Sequence, residues 1–327
     1  MHSRRTTQWF NVGAAVLAVG ASTAAAVIGE RPATLARQRG PRDAPAAVEP
    51  LRTAEGKLAL ADATGTLVPL APFERIVSGS PLADPLLLEL CAPTQVVAFS
   101  ARAPLSRDAY RFAGKPSLDP TRRVEHLLEL RPDLVLVNSL GDTTWIQQLR
   151  SAGVVVFDLG HMLGVESFLR NVSAIGWLVG RPEAARELAA SFRSRLEAIA
   201  RHLPAASRRG ALYVGVHGNE LYGGTRGSSY HDVLRYAGLD DVAARAYQGW
   251  PSYDPEALLT LDPEVVVTQL GMRAALCGRA ELGRLRACGE RGSVLEIDAQ
   301  LLSDAGLGML EAAERIHDLA YPAAASP

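Results

Sequence analysis

The side chains capable of chemistry gather in segments that follow short apolar runs. Candidate loops are Gly79–Leu82, Ser100–Tyr110, Asn138–Trp145, Leu159–Leu163, His217–Gly227, Gln248–Tyr253 and Gln269–Met272. They carry Arg102, Tyr110, Trp145, His161, His217, Tyr222, Arg226, Trp250 and Tyr253. Ring faces and guanidinium groups of this kind suit a large, flat or anionic metal complex, held by stacking and charge-assisted bonds. Catalysis finds no comparable support, since G-x-S-x-G, H-E-x-x-H and a Walker loop are all absent from the sequence. Gly215-Val-His-Gly218 and Gly223-Gly-Thr-Arg-Gly227 are glycine-rich, but no Lys-Ser/Thr opens a helix after them. Those glycines are expected to serve turns and close approach of backbone to ligand. A carrier of bare zinc or manganese would need three or four ligands facing one point. His161, His217 and His231 are available, yet no two share a short metal spacing.

The elements that must position these loops follow from the apolar pattern. Buried strands are predicted at Ile76-Val77, Val96–Phe99, Leu134–Val137 and Val154–Phe157, with helices at Pro85–Leu90, Arg123–Leu130 and Thr144–Ala152 between them. That alternation predicts a parallel sheet covered by helices on both faces. Val165–Val179 is amphipathic, and Gly180-Arg181-Pro182 ends it. Pro182 suits the first turn of the next helix, Glu183–His202, whose Leu188, Phe192, Leu196 and Ile199 form one stripe. The α/β pattern then restarts. Strands are predicted at Ala211–Val216, Val265–Thr268 and Val294–Ile297, and helices at Tyr230–Ala237, Pro255–Leu261, Glu281–Ala287 and Gly308–Leu319. Ahead of all this, Leu58-Ala59-Leu60 and Leu67-Val68 flank Asp62-Ala63-Thr64-Gly65, which has the chemistry of a hairpin turn.

Composition and the amino terminus narrow the class. The 327 residues carry 34 basic and 35 acidic groups, for a net charge of −1, so bulk charge gives no reason to expect a nucleic-acid partner. Arg4 and Arg5 precede Trp9–Gly29, an uncharged apolar stretch ending in small residues. This reads as a secretory signal, either cleaved or retained as an anchor, and it places the rest of the chain in the periplasm. Glu30–Pro50 holds four Pro and four Arg without an aromatic residue, and it reads as a disordered tether. In an exported domain, Cys277 and Cys288, eleven apart, are expected to form a disulfide, and Cys91 is expected to pack as a small hydrophobe. A zinc site built on Cys277 and Cys288 is the alternative, but it lacks C-x-x-C spacing.

The strongest signal is an internal repeat. Glu125-His-Leu-Leu-Glu-Leu-Arg-Pro-Asp-Leu-Val-Leu-Val137 aligns without a gap on Glu256-Ala-Leu-Leu-Thr-Leu-Asp-Pro-Glu-Val-Val-Val-Thr268. Each copy is a short helix stopped by Pro132 or Pro263 and followed by a buried strand. One copy in each half predicts two similar α/β lobes joined by one long helix.

With these motifs in order, Glu74–Pro322 resembles the helical-backbone substrate-binding proteins of ABC importers for iron–siderophores, haem and corrinoids. The resemblance rests on Glu74-Arg-Ile-Val-Ser-Gly-Ser-Pro81, the two E-x-L-L-x-L-x-P-acid blocks, Gly176-Trp-Leu-Val-Gly180, Gly249-Trp-Pro-Ser252 and the Asp62–Pro72 lead-in. It implies two Rossmann-like α/β lobes joined by a single long backbone helix, with the ligand cleft between them. The expected boundaries are a signal or anchor at 1–29, a linker at 30–50, a lead-in hairpin at 51–73, an amino-terminal lobe at 74–164, a helical connector at 165–203 and a carboxy-terminal lobe at 204–322. The resemblance implies a non-enzymatic monomer without a cofactor, whose partners are a metal chelate and the permease dimer. It also implies that Glu125 and Glu256, one per lobe, dock onto basic pockets of the two permease subunits. Trp250 lines the cleft in corrinoid-binding members and heads the candidate ligand contacts, followed by Tyr222, Trp145, Arg102, Tyr110 and His161. The family's arginine at the start of its last helix is missing from Ser303-Asp-Ala-Gly-Leu-Gly-Met309, so the exact chelate stays open. A tetrapyrrole chelatase of similar build, using His161 and His217, is the enzymatic alternative; the export segment argues against it.

Overall fold

The computed structural model describes residues 48–103, 109–119, 124–138, 144–290 and 292–322. The apolar export segment and nearly all of the tether lie outside these residues. The first elements, β1 (Leu51–Arg52), β2 (Leu58–Ala61) and β3 (Leu67–Pro69), form an antiparallel sheet. Its turn is organised by Asp62, whose carboxylate accepts from the backbone of Thr64 and Thr66 and from the Thr64 hydroxyl.

The amino-terminal lobe then alternates β4 (Ile76–Ser78), α1 (Ala83–Leu90), β5 (Val96–Ser100), β6 (Ser117–Leu118), α2 (Val124–Glu129), β7 (Leu134–Val137), α3 (Thr144–Ser151) and β8 (Val155–Asp158). Two helices, α4 (Val165–Leu178) and α5 (Pro182–Ile199), connect it to the second lobe. That lobe holds β9 (Gly210–Tyr213), β10 (Gly215–His217), β11 (Glu220–Tyr222), α6 (Ser229–Tyr236), β12 (Asp240–Asp241), β13 (Ser252–Tyr253), α7 (Pro255–Leu261), β14 (Val265–Gln269), α8 (Arg273–Cys277), β15 (Ser293–Ile297), α9 (Ala299–Ser303) and α10 (Gly308–Ala320). Its parallel sheet has the order β12-β9-β14-β15, and the first lobe contains the same arrangement in β5-β4-β7-β8, with β6 added at the edge. The duplication seen in the sequence is therefore a duplication of topology.

The repeat extends to backbone conformation. Arg131 (φ 48°) and Asp262 (φ 39°) are the two non-glycine residues with positive φ among those described, and they occupy equivalent places just before Pro132 and Pro263. A residue before proline is pushed out of the right-handed helical region, and a left-handed residue closes the helix end. Each copy also has an arginine clasp. Arg75 donates to the Leu130 and Arg131 carbonyls, and Arg286 donates to the Asp262 carbonyl.

Strand alternation divides the core. In β7, Leu134 and Leu136 face one side while Val135 and Val137 face the other; in β14, Val265 and Val267 oppose Val266. The outward sets form a separate small core in each lobe. The inward sets of both sheets join a single core through Phe168, Val172 and Ile175 of α4 and Phe192 and Leu196 of α5. Gly176 lets the two connector helices approach, since a Cβ there would lie 2.2 Å from that of Ala185. Glu166 and Arg193 join them by a two-pronged ion pair at 2.7 and 2.8 Å. Asp232 of α6 caps the start of α4 by accepting from the Val165 amide at 2.8 Å. Burial raises its carboxyl above the usual range, and the Val165 bond opposes that shift.

Three sequence expectations need correction. The predicted strand Ala211–Val216 is two strands in different sheets, because the chain leaves the parallel sheet after Val214 and Gly215 pairs with Tyr222 instead. The predicted helix Glu281–Ala287 is a pair of single turns, Ala280–Leu282 and Arg286–Cys288, with Leu282, Leu285 and Ala287 all buried. The backbone helix ends at Ile199 rather than His202.

A core shared by both lobes should make them melt together. Removing the fully buried Phe168 ring by Phe168→Ala is expected to cost about 3–5 kcal/mol. Calorimetry should show one transition moved to lower temperature. Two resolved transitions, only one of them displaced, would show that the lobes are stabilised independently.

Candidate functional site

The loops beyond the strand ends are where ligands sit in open α/β sheets. Among the described residues, seven large hydrophobic side chains are exposed. Three of them, Leu51, Leu58 and Leu67, belong to the lead-in sheet. The other four, Tyr110, Leu163, Trp250 and Leu270, lie in segments that follow β5, β8, β12 and β14.

In the second lobe these segments carry an aromatic ladder. Tyr213 ends β9 fully buried and stacks on Tyr230 of α6 with ring centroids 4.0 Å apart. Tyr230 meets Trp250 edge-to-face at 5.0 Å, and Tyr222 tilts toward Trp250 at 6.5 Å. Trp250 remains 56% exposed at the outer end. Two glycines seat the rings, since a Cβ at Gly215 would lie 2.6 Å from the Tyr222 ring and one at Gly224 would lie 2.8 Å from that of Tyr230. Gly215 and Gly224 thus let the backbone approach the protein's own tyrosines closely. Asp241 fixes the loop between them by accepting from the Thr225 hydroxyl at 2.6 Å, from the Ala243 amide and from His231 Nδ1 at 2.8 Å. Burial pushes the Tyr213 phenol up to about 12 and raises that of Tyr230 as well, which keeps both rings neutral.

The lobes also border an open cavity of about 750 Å³. Leu82, Asp84, Arg102 and Phe112 line it from the first lobe, and Gln300, Ser303, Asp304 and Leu307 from the second. Arg102 is held there indirectly. Asp84 accepts from the Ser100 amide at 3.0 Å and the Ser100 hydroxyl at 2.6 Å, and Ser100 Oγ accepts from the Arg102 amide.

The predicted contacts are thus divided. Trp250 and Tyr222 come together in the ladder, and Arg102 lines the cavity. Tyr110, 77% exposed, sits in the turn that also supplies Phe112 to the cavity wall. His161 is exposed in the loop after β8. Trp145 is half-buried against the outer core of the first lobe and joins neither group. Glu125 and Glu256 are exposed in the first turns of α2 and α7. Of the histidines considered for a bare metal, His231 is engaged by Asp241, while His161 and His217 stand exposed in different lobes. Cys277 and Cys288 are joined, with Cα atoms 5.6 Å apart. Cys91 is a partly buried free thiol whose pKa burial raises to about 12. Sequence reasoning missed Tyr213, Tyr230 and Asp84. The available signal was a tyrosine on each side of the glycine-rich segment.

Two lobes with an aromatic ladder and a shared cavity beyond their strand ends define a protein built to hold a ligand. The chain belongs to the periplasmic binding protein family, whose sequence profile matches residues 76–312. The family is one of binding proteins, and two of its relatives are named for ligands they bind. A cobalamin-binding protein of Halobacterium salinarum is 30% identical over 215 residues, covering 63% of this chain and 57% of that protein. The match thus spans little more than half the length of that relative. A vitamin B12-binding protein of Yersinia pestis is 24% identical over 204 residues, or 61% and 71% of the two chains. Among solved structures, a possible iron-binding periplasmic solute-binding protein of Staphylococcus epidermidis superposes with a TM-score of 0.68 at 18% identity, over 77% of this chain and all of that one (100%). A periplasmic heme-binding protein of Vibrio cholerae gives 0.66 at 23%, over 76% and 99%. These two share the fold.

Asp84 makes the cavity wall sensitive to pH. Burial raises its carboxyl above the ordinary 3.8, and bonds from Ser100 and Ser78 oppose that shift. Between 3.8 and the raised folded value, the unfolded chain is ionised while the folded one stays protonated. Folding therefore loses stability as pH rises through that window. Asp84→Asn removes this dependence, so wild type should gain melting temperature relative to the variant as pH falls from neutrality toward 4. A difference that stays flat with pH would show that Asp84 ionises normally in the folded protein.

Proposed function

We propose that this protein captures a metal chelate of the corrinoid type between its lobes and delivers it to the permease dimer of an ABC importer, outside the cytoplasmic membrane. The observation that carries the reading is the ladder from Tyr213 through Tyr230 to Trp250 and Tyr222. The outer end of this ladder, Trp250 with Tyr222, can cover one face of a large planar ring by stacking and apolar contact, with Tyr213 and Tyr230 buttressing it from behind. The partly exposed rings at the outer end of the ladder, Trp250 and Tyr222, offer stacking and apolar contact, which suits a chelate whose metal is already coordinated. The corrinoid is preferred over haem because the Halobacterium relative is a cobalamin-binding protein. The basic start and the apolar stretch Trp9–Gly29 support export. Among the described residues, no helix is long and apolar enough to cross a membrane.

Tryptophan fluorescence titrated with cyanocobalamin, hemin and a ferric siderophore tests the cargo. Cyanocobalamin should quench and saturate, and Trp250→Ala should weaken its binding by about 1–3 kcal/mol with the melting temperature nearly unchanged. Saturable binding of hemin with no response to cyanocobalamin would remove the corrinoid reading.

Docking is proposed to use Glu125 and Glu256. Both start helices that carry the same backbone device, and a single chain acting as a monomer then presents one carboxylate per lobe to two permease subunits. Glu125→Arg and Glu256→Arg should each impair reconstituted transport while leaving cargo affinity intact, and the double variant should be worse. Added salt should mimic the loss, because exposed charges are screened over about 10 Å at 0.1 M. Full transport by the double variant would show that these residues are only helix-start acids.

A further inference from the structure

The disulfide and the aromatic ladder are connected by one arginine. Cys277 and Cys288, eleven residues apart in sequence, close a loop that contains Arg279. The Arg279 guanidinium is anchored within its own segment, donating from Nε to the Ala275 carbonyl at 3.1 Å. Its two terminal nitrogens reach across to another segment, to the carbonyls of Asn219 at 2.9 Å and Gly218 at 3.2 Å. Those carbonyls form the turn between β10 and β11. The hairpin they close ends in Tyr222, and β11 pairs with β13 two residues beyond Trp250. The same loop supports the hairpin from below, since Cys277 and Cys288 pack on the small core that contains Leu221 and Tyr253.

A hairpin of two three-residue strands has little stability of its own. Its position depends on what holds the turn and the inner face, and here both supports come from one disulfide-closed loop. A guanidinium is suited to the task because its planar fork can bond several carbonyls at once from a fixed position. We infer that Arg279, held in place by the Cys277–Cys288 disulfide, is a positioning residue for the cargo wall: it fixes the β10–β11 hairpin so that Tyr222 stands beside Trp250. This inference rests on the reading of the ladder as the cargo site.

The test compares wild type, Arg279→Gln, Arg279→Lys and the double variant Cys277→Ser/Cys288→Ser. Hydrogen exchange of the cargo-free protein should show lost protection confined to Val216–Tyr222 in Arg279→Gln, with the parallel sheets unchanged. Cyanocobalamin affinity should fall by about two- to thirtyfold in that variant, the range for residues that act without touching the ligand. Arg279→Lys, which keeps the charge but not the fork, should recover part of both effects, and the serine pair should reproduce the loss. Arg279→Gln keeps the disulfide, so it remains informative if the serine pair fails to fold. Unchanged exchange in Arg279→Gln would overturn the clasp, and a loosened hairpin with unchanged affinity would overturn its role for cargo. If wild type does not bind cyanocobalamin, the corrinoid reading fails and takes the positioning role with it. The exchange experiment still decides separately whether Arg279 holds the hairpin.

Discussion

Both parallel sheets turn one face toward the same core. Because side chains alternate along a strand, each parallel sheet must bury two faces. Here the outer faces are covered locally, while the inner faces meet α4 and α5. Phe168 and Phe192, with ring centroids 4.9 Å apart, belong to that shared core. The connector is therefore packed against both lobes, α4 on α1 of the first and α5 on α6 and α10 of the second. Opening the lobes far apart would expose apolar surface at about 25 cal/mol per Å², which opposes wide hinge motion. Recognition in such a frame relies on the surfaces the frame presents.

The aromatic ladder is an outward extension of that core. Tyr213 belongs to the shared cluster, Tyr230 is stacked on it, and Trp250 stands against Tyr230 with more than half its surface exposed. Rigidity is thus passed from the interior to the surface through ring contacts and does not have to be generated in the loop. The glycines at 215 and 224 belong to the same arrangement, since any side chain there would displace a ring. Asp241 and Arg279 hold the two flanking segments by bonds to hydroxyl, amide and carbonyl groups.

Much of this was legible in the sequence, for definite reasons. Strands such as Leu134–Val137 and Val265–Gln269 are buried on both faces, so they read as the continuous apolar runs Leu134–Val137 and Val265–Val267. The helix-stopping prolines repeated 131 residues apart revealed the two lobes. Trp250 and Tyr222 were legible as loop aromatics. The rest depended on tertiary contacts that leave no local pattern. Tyr213 resembled the last residue of an ordinary strand, and only the fold shows Tyr230 stacked on it. The small sheet β10-β11-β13 is built from strands of two or three residues, too short for periodicity to register. The segment Glu281–Ala287 has the leucine spacing of a helix, but the disulfide and three buried side chains shape it as turns. Trp145 begins a helix after a strand, and only the fold shows it packed in part on the outer core of the first lobe.

The two kinds of site divide along the line of the duplication. What the lobes preserve in common is the unit ending at Pro132 or Pro263: a short helix with an exposed glutamate, a left-handed residue and an arginine clasp. A matched pair of that kind is suited to a partner that is itself two-fold, since equivalent features recur at two separated points. What the lobes do not share is the antiparallel sheet β10-β11-β13, for which the described residues of the first lobe show no counterpart. That sheet, with α6 beside it, carries the aromatic wall. A chelate has no two-fold relation to the protein, so nothing in its recognition requires both lobes to keep the same surface. Duplication thus accounts for the likeness of the proposed docking points, and divergence of the second copy accounts for the proposed cargo wall. The shared core holds both in one frame.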